Sequence, residues 1–195
     1  MIWSYPNEEN QVYLTFDDGP IPVVTPWVLD ILAHYEMKAT FFVVGDNVAK
    51  NPDLYHRILD EGHTVGNHTY NHLNGWKTDI DTYMNNIYEA DKIIQTNLFR
   101  PPYGRLKPAQ NKIIRDEKTI VMWDVLSGDF DQNISPQRCL DNVLENYNSG
   151  SIIVFHDSLK AEQNLRFALP KVLENIETRG FKAANLSCIA HSYAY

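Results

Sequence analysis

Two adjacent carboxylates, Asp17 and Asp18, end an apolar segment and run into a Gly-Pro turn in Thr15-Phe16-Asp17-Asp18-Gly19-Pro20. Adjacent side chains on an extended chain point to opposite faces, so the chain must bend for both carboxylates to reach one site. Gly19-Pro20 favours such a bend. A plain turn without chemistry is the alternative interpretation. If the pair is functional, one carboxylate can bind a metal ion while the other acts as a general base.

Two histidines, His68 and His72, lie four positions apart in Gly66-Asn67-His68-Thr69-Tyr70-Asn71-His72. If this segment is helical, both imidazoles lie on one face about one turn apart, which suits two ligands of one ion. Taken alone, the pair is also compatible with ordinary surface or core histidines. Together with Asp18 it forms a His-His-Asp set, and three protein ligands with one open position for water are typical of catalytic zinc sites.

Three further polar residues can assist hydrolysis. His156 follows the apolar segment Ser151-Ile152-Ile153-Val154-Phe155 and is either a satisfied core histidine or an acid that protonates a leaving amine. Arg100 either forms a surface salt bridge or clamps a catalytic carboxylate and lowers its pKa. Asp129 can orient the imidazole of His156, and Phe130 beside it can wall a small pocket.

The elements that must position these residues alternate between short β-rich segments and longer segments with apolar residues at helical spacing. This alternation, repeated about seven times, predicts a parallel sheet that is either open or closed into a barrel, with functional groups at the carboxyl ends of the strands. The polar candidates, and Asp124 with them, fall at predicted strand ends, which indicates one shared site. The predicted strands cover residues 12–16, 39–44, 64–67, 98–100, 120–124, 151–155 and 181–185.

Length and composition limit the classes of protein. The 195 residues, 44% of them hydrophobic, predict one globular domain spanning 1–195. The formal net charge of −8 argues against a nucleic-acid partner, and no apolar run is long enough to span a membrane. No signal peptide is present, which predicts a cytoplasmic protein as written, or a secreted one if a signal has been removed. A monomer is favoured. His34, His56 and His191 are interpreted as surface residues.

Taken in order, five motifs resemble those of the polysaccharide deacetylases, the carbohydrate esterase family 4 group that shares the NodB homology domain. The resemblance extends from about Val12 to Leu186 and implies a distorted (β/α) barrel, similar to a TIM barrel, of about seven parallel strands. The motifs are Thr15-Phe16-Asp17-Asp18-Gly19-Pro20, His68-Thr69-Tyr70-Asn71-His72, Arg100-Pro101-Pro102-Tyr103-Gly104, the segment from Trp123 to Phe130, and Val154-Phe155-His156.

The resemblance also implies a role for each candidate residue. Asp17 would be the general base, held by Arg100, and His156 the general acid, tuned by Asp129. The backbone N–H of Tyr103 would help to stabilise the oxyanion. The divalent ion would be held by Asp18, His68 and His72. Zinc is favoured for this ligand set, with cobalt, nickel and iron as alternatives.

The implied activity is metal-dependent removal of N-acetyl groups from an N-acetylglucosamine-containing polysaccharide or oligosaccharide, chitin- or peptidoglycan-like, with release of acetate. The alternatives are an O-acetyl esterase, a small-molecule amide hydrolase, or a non-catalytic carbohydrate-binding module on the same fold. Phe130 and Val154 depart from the family pattern, which usually has Trp and Leu there. Both positions would line the acetyl pocket, so acyl preference and the fit of the substrate are open.

Overall fold

A computed structural model describes residues 1–6 and 9–190. Strands and helices alternate along most of this chain, as the apolar periodicity predicts. The strands are β1 (Gln11–Asp17), β2 (Thr40–Val43), β3 (Thr64–Asn67), β4 (Leu98–Phe99), β5 (Thr119–Ile120), β6 (Val125–Leu126), β7 (Ile152–His156) and β8 (Lys182–Ala184). The α-helices are α1 (Val24–His34), α2 (Gly45–Lys50), α3 (Pro52–Asp60), α4 (Ile80–Asp91), α5 (Pro108–Glu117), α6 (Pro136–Leu144), α7 (Glu162–Thr178) and α8 (Ser187–Ala190).

The strands form one curled parallel sheet. Seven of them follow the order β5-β4-β3-β2-β1-β7-β6. The eighth strand, β8, pairs with residues 11–13 of β1, whereas β2 pairs with residues 15–17 of the same strand. Every ladder between named strands is parallel. Parallel strands joined by helices that cover the outside of the sheet form a distorted (β/α) barrel, and the predicted fold is confirmed.

The predicted strand at residues 120–124 is wrong. Thr119 and Ile120 form β5 at one edge of the sheet, whereas Val125 and Leu126 form β6 at the other edge. Between the two, Ile2 donates its N–H to the carbonyl of Ile120 and accepts from the N–H of Met122. The chain therefore crosses the open side of the barrel here, beside its own amino-terminal segment. A short apolar run does not indicate that the chain leaves one edge of the sheet and joins the other.

Alternation along β1 divides its side chains between two cores. Val12, Leu14 and Phe16 pack outward in the large cluster beneath the helices, whereas Tyr13 belongs to a second cluster with residues such as Phe42, Leu98 and Ile152. Thr15 and Asp17 share the face of Tyr13 because side chains alternate along a strand. Asp17 therefore lies on the inner face of the barrel, at the carboxyl end of β1.

None of the described helices is both long and apolar enough to cross a membrane.

Candidate metal centre and active site

Asp18, His68 and His72 converge beyond the carboxyl ends of β1 and β3. One ligand atom from each lies within 4.8 Å of the others, and the Nε2 atoms of His72 and His68 lie 3.1 Å and 3.8 Å from Oδ1 of Asp18. Nδ1 of His68 lies 2.7 Å from the carbonyl oxygen of Arg100. Because a carbonyl only accepts, Nδ1 carries the proton and Nε2 presents its lone pair to the site.

The backbone brings these ligands together in a way that the histidine spacing does not reveal. Residues 68–74 form a loop rather than a helix, so the helical interpretation of the pair is wrong. Thr69 and His72 adopt left-handed φ values of 63° and 55°, and Asp18 adopts 85°. The side-chain oxygen of Asn67 accepts the N–H of Thr69 at 2.7 Å, which holds the first of these turns. The bend at Asp18 itself turns its carboxylate toward the same site as Asp17.

The protonation states of these residues fit a divalent cation. Burial lowers the pKa of His68 to about 4, so this imidazole is neutral near pH 7. Burial alone would raise the pKa of Asp18, but the neighbouring His72, His156 and His68 hold it well below its usual range. Oδ1 of Asp18 is buried and faces Nε2 of both histidines, with His72 the nearer at 3.1 Å. An ionised carboxylate facing imidazole lone pairs is satisfied by a cation, and zinc or a similar ion suits this donor set.

Arg100 is a buried clamp on Asp17, and the surface interpretation of this arginine is wrong. Its side chain is fully buried. Nη1 donates to Oδ1 of Asp17 at 2.8 Å and to the hydroxyl of Thr15 at 2.7 Å, while Nη2 donates to the carbonyl of Met122 at 2.8 Å. The guanidinium carbon lies 4.1 Å from the ring centroid of Phe42. These contacts fix the orientation of a buried carboxylate beside the three ligands.

His156 and Asp129 form a second charged pair on the opposite side of Asp17. Nδ1 of His156 lies 2.8 Å from Oδ1 of Asp129, and the backbone N–H of His156 donates to Oδ2 at 2.7 Å. Burial disfavours the imidazolium, but Asp129, together with Asp17 and Asp18, raises the pKa of His156 to about 9. Because Asp129 engages Nδ1, the other ring nitrogen remains to donate a proton to a substrate.

This pair predicts a specific pH dependence. If His156 acts as an acid, kcat/KM should fall as the pH rises through about 9, because the imidazolium then loses its proton. Asp129→Asn removes the negative charge that stabilises the imidazolium, so this alkaline limb should move to lower pH and kcat should fall. The measurement is a pH profile of kcat/KM for both proteins. An alkaline limb at the same pH in Asp129→Asn would contradict the tuning role.

The carboxylates and imidazoles open into one cleft of about 440 Å³. Tyr103 adopts a left-handed φ of 62°, lies at the rim, and its backbone N–H has no acceptor among the described residues. Phe130 contacts the His156 imidazole edge-on, with 5.0 Å between ring centroids. The cleft is lined by Asp17, Asp18, His68, His72, Tyr103, Trp123, Leu126, Phe130, His156, Ser158 and Lys160.

Several residues considered in the sequence analysis do not line this cleft or lie outside the described residues. Val154 is buried and does not line this cleft, because the pocket wall beside β7 is formed by Leu126, its partner in β6. Asp124 accepts from the hydroxyl of Ser151 and the N–H of Ile152, at the amino end of β7 and therefore away from the site. His34 and His56 are exposed, as predicted, and His191 lies outside the described residues.

Sequence reasoning missed the supporting role of Asp157. This buried residue accepts the N–H of Gly19 at 3.0 Å and the hydroxyl of Thr25 at 2.5 Å. A Cβ atom at Gly19 would lie 2.0 Å from a carboxylate oxygen of Asp157, so the turn after Asp18 approaches this side chain too closely for any other residue. Asp157 therefore buttresses the turn that carries the two site carboxylates.

Comparison with known proteins identifies the family. The family model described as polysaccharide deacetylase matches residues 4–119, more than half of the chain. The chain belongs to the polysaccharide deacetylase family and is therefore a hydrolase that acts on carbon–nitrogen bonds of polysaccharides. This family generally depends on a divalent metal ion.

Similar proteins share both sequence and fold with this chain. It is 34% identical to a peptidoglycan-N-acetylglucosamine deacetylase of Bacillus cereus, with 96% of this chain and 91% of the relative covered. It is 32% identical to a chitooligosaccharide deacetylase of Bradyrhizobium, covering 88% and 86%. The crystal structure of the Bc1960 peptidoglycan N-acetylglucosamine deacetylase superposes with a TM-score of 0.90 at 35% identity and covers 96% of this chain and 91% of that chain.

Proposed function

We propose that this protein removes N-acetyl groups from an N-acetylglucosamine-containing glycan, chitin- or peptidoglycan-like, and releases acetate. The observation that carries the proposal is the convergence of a clamped carboxylate, a candidate metal site and a protonated imidazole in one cleft. Amide hydrolysis needs these three functions, because water must be deprotonated, an oxyanion stabilised and an amine protonated as it leaves. The names of the similar proteins support the same substrate class.

Each residue then has a defined task in the proposed mechanism. Asp17, oriented by Arg100, accepts the proton of the attacking water. A divalent ion, for which we propose zinc, would be held by Asp18, His68 and His72 and would supply Lewis-acid activation. The backbone N–H of Tyr103 donates to the oxyanion, and His156 protonates the departing amine. Phe130 occupies the position that would enclose the acetyl methyl group.

The proposal is tested by acetate release from zinc-loaded protein. We expect acetate from chitooligosaccharide or from peptidoglycan, together with an equal amount of new free amine, and loss of both after chelation. Acetylated xylan and small-molecule amides serve as comparison substrates. Preferential release from acetylated xylan would instead identify an O-acetyl esterase. Binding of glycan without any turnover would identify a carbohydrate-binding module.

A further inference from the structure

The loop between the two candidate histidine ligands is hydrogen-bonded to two helices through its backbone. On one side, the carbonyl oxygen of Thr69 accepts the N–H of Gly45, the first residue of α2, at 3.0 Å. The carbonyl oxygen of Tyr70 accepts the N–H of Asp46, the next residue of the same helix, at 2.9 Å. The amino end of α2 therefore satisfies the carbonyl groups of the loop, and the N–H groups must find acceptors elsewhere.

Asn86, on α4, provides these acceptors. Its Oδ1 accepts the N–H groups of Tyr70 and Asn71, both at 2.9 Å, and the N–H of Tyr70 also lies 3.1 Å from its backbone carbonyl oxygen. Its Nδ2 donates to the side-chain oxygen of Asn71 at 2.8 Å. The side chain of Asn86 thus makes three hydrogen bonds to the two residues that directly precede His72.

His72 depends on this support more than His68 does. A metal-binding imidazole is usually oriented by a hydrogen bond from its second ring nitrogen, and His68 has such a bond to the carbonyl of Arg100. Among the described residues, Nδ1 of His72 has no partner of this kind. The ring of His72 instead contacts Asp18 through Nε2, and its centroid lies 4.7 Å from that of Tyr103. The position of this imidazole is therefore set mainly by the backbone that carries it.

That backbone is in an unfavourable conformation at the ligand itself. His72 adopts a left-handed φ of 55°, which residues other than glycine keep only where their surroundings impose it. We propose that Asn86 is a positioning residue of the metal centre. By fixing the backbone of Tyr70 and Asn71, it holds the His72 imidazole where it can share an ion with the other two ligands. This inference rests on the metal centre of the proposed function and extends it to a residue of α4 that is not itself a ligand.

Zinc affinity tests the proposal, with a matched control one position away. Asn86→Ala removes the three side-chain hydrogen bonds and should weaken zinc binding about tenfold, the lower end of the range for a partner behind a metal ligand. Asn85→Ala, the same change at an exposed residue of α4, should leave the affinity unchanged. Alanine favours a helix more than asparagine does, so both variants should keep α4. Competition with a chromophoric chelator measures the affinity, and equal values for the two variants would overturn the proposal.

A conservative variant tests which group of Asn86 is needed. Asn86→Asp keeps an oxygen that can accept both N–H groups of the loop, and the exposed amide of Asn71 can turn its NH2 group toward the new carboxylate. Asn86→Asp should therefore bind zinc nearly as tightly as the wild type. Zinc binding as weak as that of Asn86→Ala would contradict the role assigned to these hydrogen bonds.

The spectrum of the cobalt-loaded protein separates positioning from a general loss of stability. The visible absorption bands of cobalt should change in Asn86→Ala, because the geometry at His72 changes, and should match the wild type in Asn85→Ala. A lower unfolding temperature of metal-free Asn86→Ala with wild-type zinc affinity and cobalt spectrum would show a purely structural role and overturn the proposal. These measurements need no turnover. A wild-type protein that binds zinc but releases no acetate would therefore overturn the proposed function and leave the role of Asn86 intact.

Discussion

Asp17→Asn should lower kcat for acetate release by between about 100-fold and about 10,000-fold, the usual contribution of a general base. The amide keeps the shape of the side chain and an oxygen that can accept the bond from Arg100, but it cannot take a proton from water. The zinc content should stay near that of the wild type, because Asp17 is not one of the three proposed ligands. Steady-state kinetics and elemental analysis measure the two effects.

The same substitution removes the negative charge that compensates the buried guanidinium of Arg100. Breaking such a pair can lower the free energy of unfolding by about 3–5 kcal/mol, so activity must be compared well below the unfolding transition and per folded molecule. Asp116→Asn, at an exposed residue outside the cleft, is the matched control. Wild-type kcat in folded Asp17→Asn would exclude Asp17 as the base.

The parts of the fold that could be predicted from sequence are those with a local periodic signal. The strand ending at Asp17 and the strand ending at His156 are recognisable because each is an apolar run, and in the structure they pair in register, Asp17 beside His156. Since parallel strands present their carboxyl ends at one edge, the parallel direction of the strands explains why most of the polar candidates cluster there, Asp124 excepted. The family motifs added a role to each residue, and those roles remain predictions.

Other features depend on contacts that no local pattern encodes. Arg100 reaches Thr15 and Asp17, which lie 85 and 83 positions away in the chain, so its burial could not be predicted from its neighbours. Asp157 binds Gly19 from 138 positions away. The left-handed turn at His72 could not be predicted either, because two histidines four positions apart are also typical of one face of a helix. The relative positions of the site residues are therefore set by these tertiary contacts and not by local sequence.

Removal of one metal ligand should strongly weaken metal binding and should lower catalytic activity in parallel. His68→Ala takes away a buried imidazole whose orientation is fixed by the carbonyl of Arg100, leaving two protein ligands. Loss of a hydrogen-bonded partner behind a ligand already weakens metal binding about 10–100-fold, so loss of the ligand itself should weaken zinc binding at least about 100-fold. Competition with a chromophoric chelator measures the affinity, and acetate release should fall in parallel.

Because His68 is buried, its replacement could also disturb folding, and His72→Ala provides the separate test. The His72 side chain is 28% exposed, so its removal leaves a smaller internal void while still taking one nitrogen from the same site. His56→Ala, at an exposed histidine on α3, controls for the loss of an imidazole in general. If His72→Ala folds and binds zinc as tightly as His56→Ala, the ion is not held by this set. If zinc affinity and acetate release fall together in His72→Ala but not in His56→Ala, the convergence of Asp18, His68 and His72 is the metal centre on which hydrolysis depends.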